Sequence, residues 1–491
     1  MLFNSIEFLI FLPLVFFGYW FVFKSLRWQN LFVVAVSYLF YGWWDWRFLL
    51  LILFTSLCSY LSGVYLEKCA GNRSVQKWIS AGNILLNLSI LGVFKYFDFF
   101  TENLVNVLHL LGWDADYVTL NILLPVGISF YTFQALSYTI DVYQGKIKAT
   151  HDIVAFFAYI SFFPQLVAGP IERATHLLPQ FLRPRNFDCD LALDGIRQML
   201  WGFFKKVVVA DNCALFVNGV FENYQTLDGS TLFLGAFFFT IQIYGDFSGY
   251  SDIAIGCARL FGIDLMQNFK YPYFSRDIAE FWRRWHISLG SWFRDYLYIP
   301  LGGNRKGSAR QLLNILLVWL ATGLWHGADW RYLAWGLFTG LLAAFGVMTA
   351  RARQRINRYN PLYRMGWFKV FWQCLFTNAL FCLTLVFFAS AIYNTDPFAV
   401  YGSLLQGWDG LTGSWAQVSN LIYSSGIDGR LPVVLLFGCF VVFAAEHKGR
   451  SVARWIRQQV WPLRWTLYYG MAAAILFFAA FGQSAFIYQQ Y

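Results

Sequence analysis

Charge is what this sequence has least of. Only 13% of its residues are Asp, Glu, Lys or Arg, about half the quarter that a soluble globular surface carries. Most of the surface of a chain this long must therefore meet something other than water. Histidine is scarce too, with six in 491 residues. The eight cysteines (Cys58, Cys69, Cys189, Cys213, Cys257, Cys374, Cys382 and Cys439) are scattered and form no CxxC pair. That pattern indicates neither a disulfide framework nor a zinc site, and several of them lie in apolar runs, where a free thiol acts as a small hydrophobe. No GxSxG elbow, P-loop or HExxH motif is present, so the nucleophile-elbow, phosphate-loop and zincin chemistries have no footing here. No repeat, low-complexity tract or soluble-like segment interrupts the chain, and residues 1–491 read as one membrane domain.

What is abundant is apolar. The composition is 58% hydrophobic and 21% aromatic, with 22 Trp and 28 Tyr. Such rings suit the membrane interface, where one edge is wet and the other is not. A span needs about 20 mostly apolar residues. Candidate runs are 6–23, 31–44, 48–66, 79–97, 120–138, 153–168, 207–220, 232–250, 312–325, 332–348, 371–392, 431–445 and 465–481. Some are short enough to be re-entrant, and about eleven true spans are expected. The first run lacks a basic n-region and a small-residue cleavage site, so it reads as a retained span rather than a signal peptide. The fold class expected is an all-α polytopic membrane protein in contact with lipid.

The net charge of +10 would suggest nucleic acid in a soluble protein. Here the bases cluster between apolar runs, which is the positive-inside pattern, and no nucleic-acid partner is expected. Arg351, Arg353, Arg355, Arg358, Arg364 and Lys369 form one acid-free loop, expected to be cytoplasmic. The stretch from Tyr271 to Arg310 is too polar to span. It interleaves Arg283, Arg284, Arg294, Arg305 and Lys306 with Trp282, Trp285, Trp292, Tyr296 and Tyr298, as an interfacial or re-entrant segment does.

Two histidines stand out. His326, in Gly323-Leu324-Trp325-His326-Gly327-Ala328-Asp329-Trp330, ends an apolar run. An ionisable group at membrane depth is costly to place, which makes it a functional candidate; the competing reading is a neutral core imidazole bonded to a carbonyl. His286, in Trp282-Arg283-Arg284-Trp285-His286-Ile287-Ser288, is either functional or a packing residue of the interfacial segment. A buried neutral imidazole is a suitable general base toward a hydroxyl acceptor. Arg283, Arg284, Arg305 and Lys306 suit a phosphorylated acyl carrier, or simply anchor the segment. Asp246 and Asp252 sit six apart on an apolar helix, a spacing that does not put them on one face. A structural hydrogen-bonding role suits them better than general-base work. His109, His151, His176 and His447 lie in polar stretches and carry no assigned chemistry.

Several further motifs accompany these histidines. They are Met1-Leu2-Phe3-Asn4-Ser5, Leu124-Pro125-Val126-Gly127-Ile128-Ser129-Phe130-Tyr131, Phe163-Pro164-Gln165-Leu166-Val167-Ala168-Gly169-Pro170, Tyr244-Gly245-Asp246-Phe247-Ser248-Gly249-Tyr250-Ser251-Asp252 and Tyr296-Leu297-Tyr298-Ile299-Pro300-Leu301-Gly302-Gly303-Asn304-Arg305. Together they resemble the membrane-bound O-acyltransferase family over nearly the whole chain, and within it the bacterial branch that includes alginate O-acetylation. One departure is Gly245, where the family has a larger residue.

The resemblance implies a helical bundle around a central tunnel, with His326 as the near-invariant histidine and His286 as the second. It implies acetyl transfer from cytoplasmic acetyl-CoA, as substrate and not as a bound cofactor, toward an extracytoplasmic polysaccharide across a bacterial inner membrane. A separate periplasmic, esterase-like (SGNH) acetyltransferase completes the transfer in such systems. It also implies a role for Tyr488 as an acyl relay, because a related cell-wall acylation system uses a terminal tyrosine; the alternative is an aromatic belt. A lipid or protein acyltransferase, or a transporter without chemistry, are the rival readings. No metal is expected.

Overall fold

A computed structural model describes residues 1–480, except 115, 117, 118, 121, 360–364, 409, 410, 425–430, 448 and 450. Among the described residues the regular structure is entirely helical. Among the described residues, four helices are long and apolar enough to cross a membrane: Arg47–Lys68, Arg73–Leu110, Trp330–Met348 and Gly366–Ile392; Ile6–Val22 and Leu431–Glu446 are shorter apolar helices. About eleven spans are expected from the sequence, and the described helices show why run length alone is a poor counter. Run 153–168 is split into Ile153–Ser161 and Phe163–Leu166, with Pro164 at the start of the second, where its missing N–H does no harm. Run 207–220 is divided between a π-helical segment, Phe204–Ala210, and the helix Asp211–Glu222.

The chain forms two compact units, Met1–Met199 with Ile253–Met266, and Leu200–Asp252 with Gln267–Tyr491. In the first, helices Arg47–Lys68, Arg73–Leu91 and Ile128–Tyr143 share a polar seam. Asn83 Nδ2 donates to Thr139 Oγ1 at 2.6 Å and to Ser59 Oγ at 3.4 Å. Small and polar side chains of this kind join helices where the surroundings offer no hydrophobic drive.

The second unit holds both candidate histidines. Its interior carries ion pairs built on the π-helical segment. Lys206 Nζ lies 2.7 Å from Asp211 Oδ1 and 2.5 Å from Asp246 Oδ1. Lys205 Nζ lies 2.6 Å from Asp252 Oδ2 and donates to Ser248 Oγ at 2.9 Å. Asp246 and Asp252 thus bind two adjacent lysines, which agrees with a structural role. The π geometry is what lets consecutive residues Lys205 and Lys206 both reach the helix Gly229–Leu260. Removing one member of a buried pair leaves a charge uncompensated and costs about 3–5 kcal/mol. Lys206→Met is therefore expected to lower the melting temperature of the detergent-purified protein sharply, and Lys206→Arg to lower it less.

Candidate active site

His326 closes the helix Ser308–His326, and a tight connection returns the chain into Trp330–Met348. Three features of the local sequence force this geometry. Gly323 and Gly336 face each other so closely that a Cβ on Gly336 would strike the Trp319 carbonyl oxygen, and one on Gly323 would strike that of Tyr332. The two helices consequently pack backbone to backbone. Asp329 then caps the second helix, accepting from Arg331 N at 2.7 Å. Arg331 in turn pairs with Asp329 at 2.6 Å and donates to the Ser390 carbonyl at 3.0 Å, tying the hairpin to Gly366–Ile392. The result is a buried His326 ring enclosed by Trp325, Trp335 and Phe388 at centroid distances of 4.9, 5.1 and 5.2 Å.

His286 arrives on a different kind of element. The 271–310 stretch folds as short helices, Ile278–Arg284 and Ile287–Phe293, followed by the π turn Arg294–Tyr298. At about 1.5 Å per residue, seven residues cannot cross a membrane. Asp277 caps the first helix by accepting from Glu280 N at 2.8 Å. His286 sits at the joint between the two helices with φ 44 and ψ 54. Left-handed backbone at a residue other than glycine costs about 1–3 kcal/mol and persists only where its surroundings hold it. Here Ile287 N donates to the Asn268 carbonyl at 2.9 Å, and Trp285 N to Phe281 O at 2.9 Å. Burial pulls the imidazole pKa well below its usual range, so the ring is neutral at physiological pH.

Both histidines line one cavity of about 280 Å³. Trp282, Trp319 and Trp335 supply its aromatic wall, with Trp282 4.5 Å from Trp319 and 6.0 Å from Trp335. Arg283 and Arg294 also line it, and both are exposed while the two imidazoles are buried. The cavity therefore runs inward from a cationic rim through aromatic walls to a pair of imidazoles. Wherever water is excluded in this way, electrostatic and hydrogen-bonding interactions strengthen.

Of the four cations singled out from sequence as donor contacts, Arg283 reaches the cavity. Arg284 is paired with Glu280 at 2.5 Å, and exposed Arg305 and Lys306 lie in the 299–307 turn, outside the cavity lining. Arg294, a rim residue, was not singled out; its position in the Trp-Arg alternation was visible, its orientation was not. Nor was Asn268, whose Oδ1 lies 3.0 Å from His286 Nδ1, because an 18-residue separation leaves no local signal. Three other histidines occupy ordinary positions: His151 bonds Glu67, His176 bonds Glu172, and His447 bonds the Ala444 carbonyl, each at 2.8 Å. Tyr488 lies outside the described residues.

The region that holds this site resembles known proteins. Residues 146–387, which include both histidines and the cavity they line, match the membrane-bound O-acyltransferase family. A Pseudomonas aeruginosa protein named "Probable alginate O-acetylase AlgI" is 42% identical over 366 residues, covering 74% of this chain and 69% of that protein. The peptidoglycan O-acetyltransferase of Helicobacter pylori is 36% identical over 376 residues, 70% of this chain and 69% of that one. A teichoic acid D-alanyltransferase of Streptococcus thermophilus is 28% identical over 292 residues, 53% of this chain and 68% of its own length. With its apolar spanning helices and these relatives, the chain is a multi-pass membrane O-acyltransferase and belongs to the membrane-bound O-acyltransferase family.

Proposed function

We propose that this protein takes acetyl groups from acetyl-CoA on the cytoplasmic side of a bacterial inner membrane and passes them outward for O-acetylation of an extracytoplasmic polysaccharide. A periplasmic, esterase-like acetyltransferase is the proposed partner that completes the transfer. The observation that carries this reading is the placement of two buried imidazoles on one cavity whose exposed rim holds Arg283 and Arg294. Guanidinium groups suit the phosphates of a carrier, and buried imidazoles suit proton transfer at its thioester. Relatives named for alginate and peptidoglycan acetylation support a polysaccharide acceptor. At about 280 Å³, the cavity falls just below the usual 300–1,000 Å³ of small-molecule sites. It suits a short acyl group on a thioester arm better than a lipid-length chain, which weighs against a lipid or protein acyltransferase.

Donor kinetics test the proposal. The full-length protein in liposomes is assayed with acetyl-CoA and with acetyl-pantetheine, which has the thioester and no phosphate. The double variant Arg283→Glu, Arg294→Glu is expected to raise KM for acetyl-CoA about tenfold, as exposed charge contacts of this kind allow, and to leave acetyl-pantetheine unchanged. Reversals at Arg284, Arg305 and Lys306, which lie outside the cavity lining, enter the same assay and are expected to move KM less. An unchanged acetyl-CoA KM throughout leaves these cations an anchoring role only. A protein that releases no CoA from acetyl-CoA under any condition points instead to transport without chemistry.

A further inference from the structure

We propose that Asn268 is a positioning residue for His286, fixing the ring in the tautomer whose Nε2 carries the lone pair. This rests on the proposed role of His286 in acyl transfer.

The orientation of the Asn268 amide follows from its neighbours. Asn268 is fully buried. One end of its side chain is approached by Ser288 N at 3.4 Å and by Ser288 Oγ at 2.9 Å. A backbone N–H can only donate, so that end is the carbonyl oxygen and not the NH2 group. The other end donates to Ser251 Oγ at 3.2 Å, on the helix Gly229–Leu260. The same carbonyl oxygen lies 3.0 Å from His286 Nδ1. An amide oxygen accepts and never donates, so Nδ1 must carry the hydrogen. In the neutral ring the lone pair is then on Nε2.

Asn268 acts on the backbone as well. Its main-chain carbonyl accepts from Ile287 N at 2.9 Å, directly after the left-handed turn at His286. One residue therefore holds both the strained backbone and the ring. The faces packed on that ring are apolar, with Phe247 at 4.6 Å and Trp325 at 5.8 Å. The titratable or charged groups that share its cavity are His326, Arg283 and Arg294. An uncharged acceptor is the useful choice in such a place. It orients the imidazole as a carboxylate would, without drawing a proton onto it.

The test is a double-mutant cycle on CoA release from acetyl-CoA by the full-length protein in liposomes. Folding is checked by monodisperse elution and melting temperature. Outer partners that orient metal-bound imidazoles are typically worth about 10–100-fold, and Asn268→Ala is expected to lower kcat by a comparable factor with little change in KM. The pair Asn268→Ala, His286→Ala is expected to be no slower than His286→Ala alone, because both changes remove one function. Asn268→Asp keeps the acceptor oxygens, and Ser251 can rotate to donate. Its negative charge stabilises the imidazolium, so the neutral fraction at a given pH falls and the acid limb of the rate profile moves to higher pH.

Losses that multiply in the double variant identify a purely structural role and overturn the proposal, as does an Asn268→Asp profile that does not move. Wild-type turnover in Asn268→Ala with an impaired His286→Ala removes Asn268 alone. Wild-type turnover in His286→Ala removes the functional reading of His286 and this inference with it. If Asn268→Ala does not fold, the profile of the near-isosteric Asn268→Asp decides.

Discussion

Replacing His326 with alanine is expected to lower acetyl transfer by about 10²–10⁴-fold, the usual loss when a general base is removed, with the protein still folded and its acetyl-CoA KM little changed. The reaction we propose sets this expectation. An acceptor hydroxyl gives its proton to the His326 imidazole as its oxygen bonds to the thioester carbonyl carbon. The C–S bond then breaks, and the sulfur leaves with the proton that the imidazole returns. The ring needs only to be neutral, buried and fixed. Burial is met directly. Fixation comes from Trp325, Trp335 and Phe388 around the ring, and from the Asp329–Arg331 clamp that ties its hairpin to Gly366–Ile392. His286→Ala is expected to cost less, because His326 is the base in the proposed step. The measurement is CoA release and acetyl incorporation at matched protein levels in liposomes. Turnover near wild type in His326→Ala would end the assignment of this histidine as the base.

How much of this could be read from the sequence differs residue by residue. The two imidazoles were visible because each is polar inside a stretch that is otherwise aromatic and apolar, and such exceptions are costly to keep in a membrane protein. Their meeting in one cavity is expected on the same ground and is found, but the backbone route to it was not legible. It depends on the close approach of Gly323 and Gly336 and on a left-handed turn at His286. Neither has a signature beyond a glycine or a histidine in the right place. Asp246 and Asp252 were expected to hydrogen-bond structurally, but no local spacing marks Lys205 and Lys206 as their partners. It took a π-helical segment to turn both inward. The cation rim was half legible: composition put arginines near the site, while reach from the backbone selected Arg283 and Arg294. Span count is the least legible quantity, because a run of apolar residues does not record where a helix breaks.

Tyr488→Phe is expected to abolish acetylation of the extracytoplasmic polymer while leaving expression and membrane insertion intact. This residue sits in Phe486-Ile487-Tyr488-Gln489-Gln490-Tyr491, after the last apolar run. The positive-inside reading of the preceding loops leads us to expect that segment on the outer face. We propose that its phenol accepts the acetyl group at the cavity and carries it to the partner transferase. The step balances simply: His326 takes the phenolic proton, the phenol oxygen bonds to the acetyl carbon, and the carrier leaves as the thiol. The aryl ester so formed is a more reactive acyl donor than an alkyl ester, because phenoxide is the better leaving group, and the second transfer can therefore proceed without a new energy source. Phenylalanine keeps the ring and deletes only the oxygen. An aromatic belt that merely anchors the helix at the interface would tolerate that change, whereas a relay cannot. With radiolabelled acetyl-CoA, label is expected on the wild-type protein and absent from the variant, and no acetylated polymer should appear. A Tyr488→Phe variant that acetylates polymer at the wild-type level rules the relay out and leaves Tyr488 an anchor.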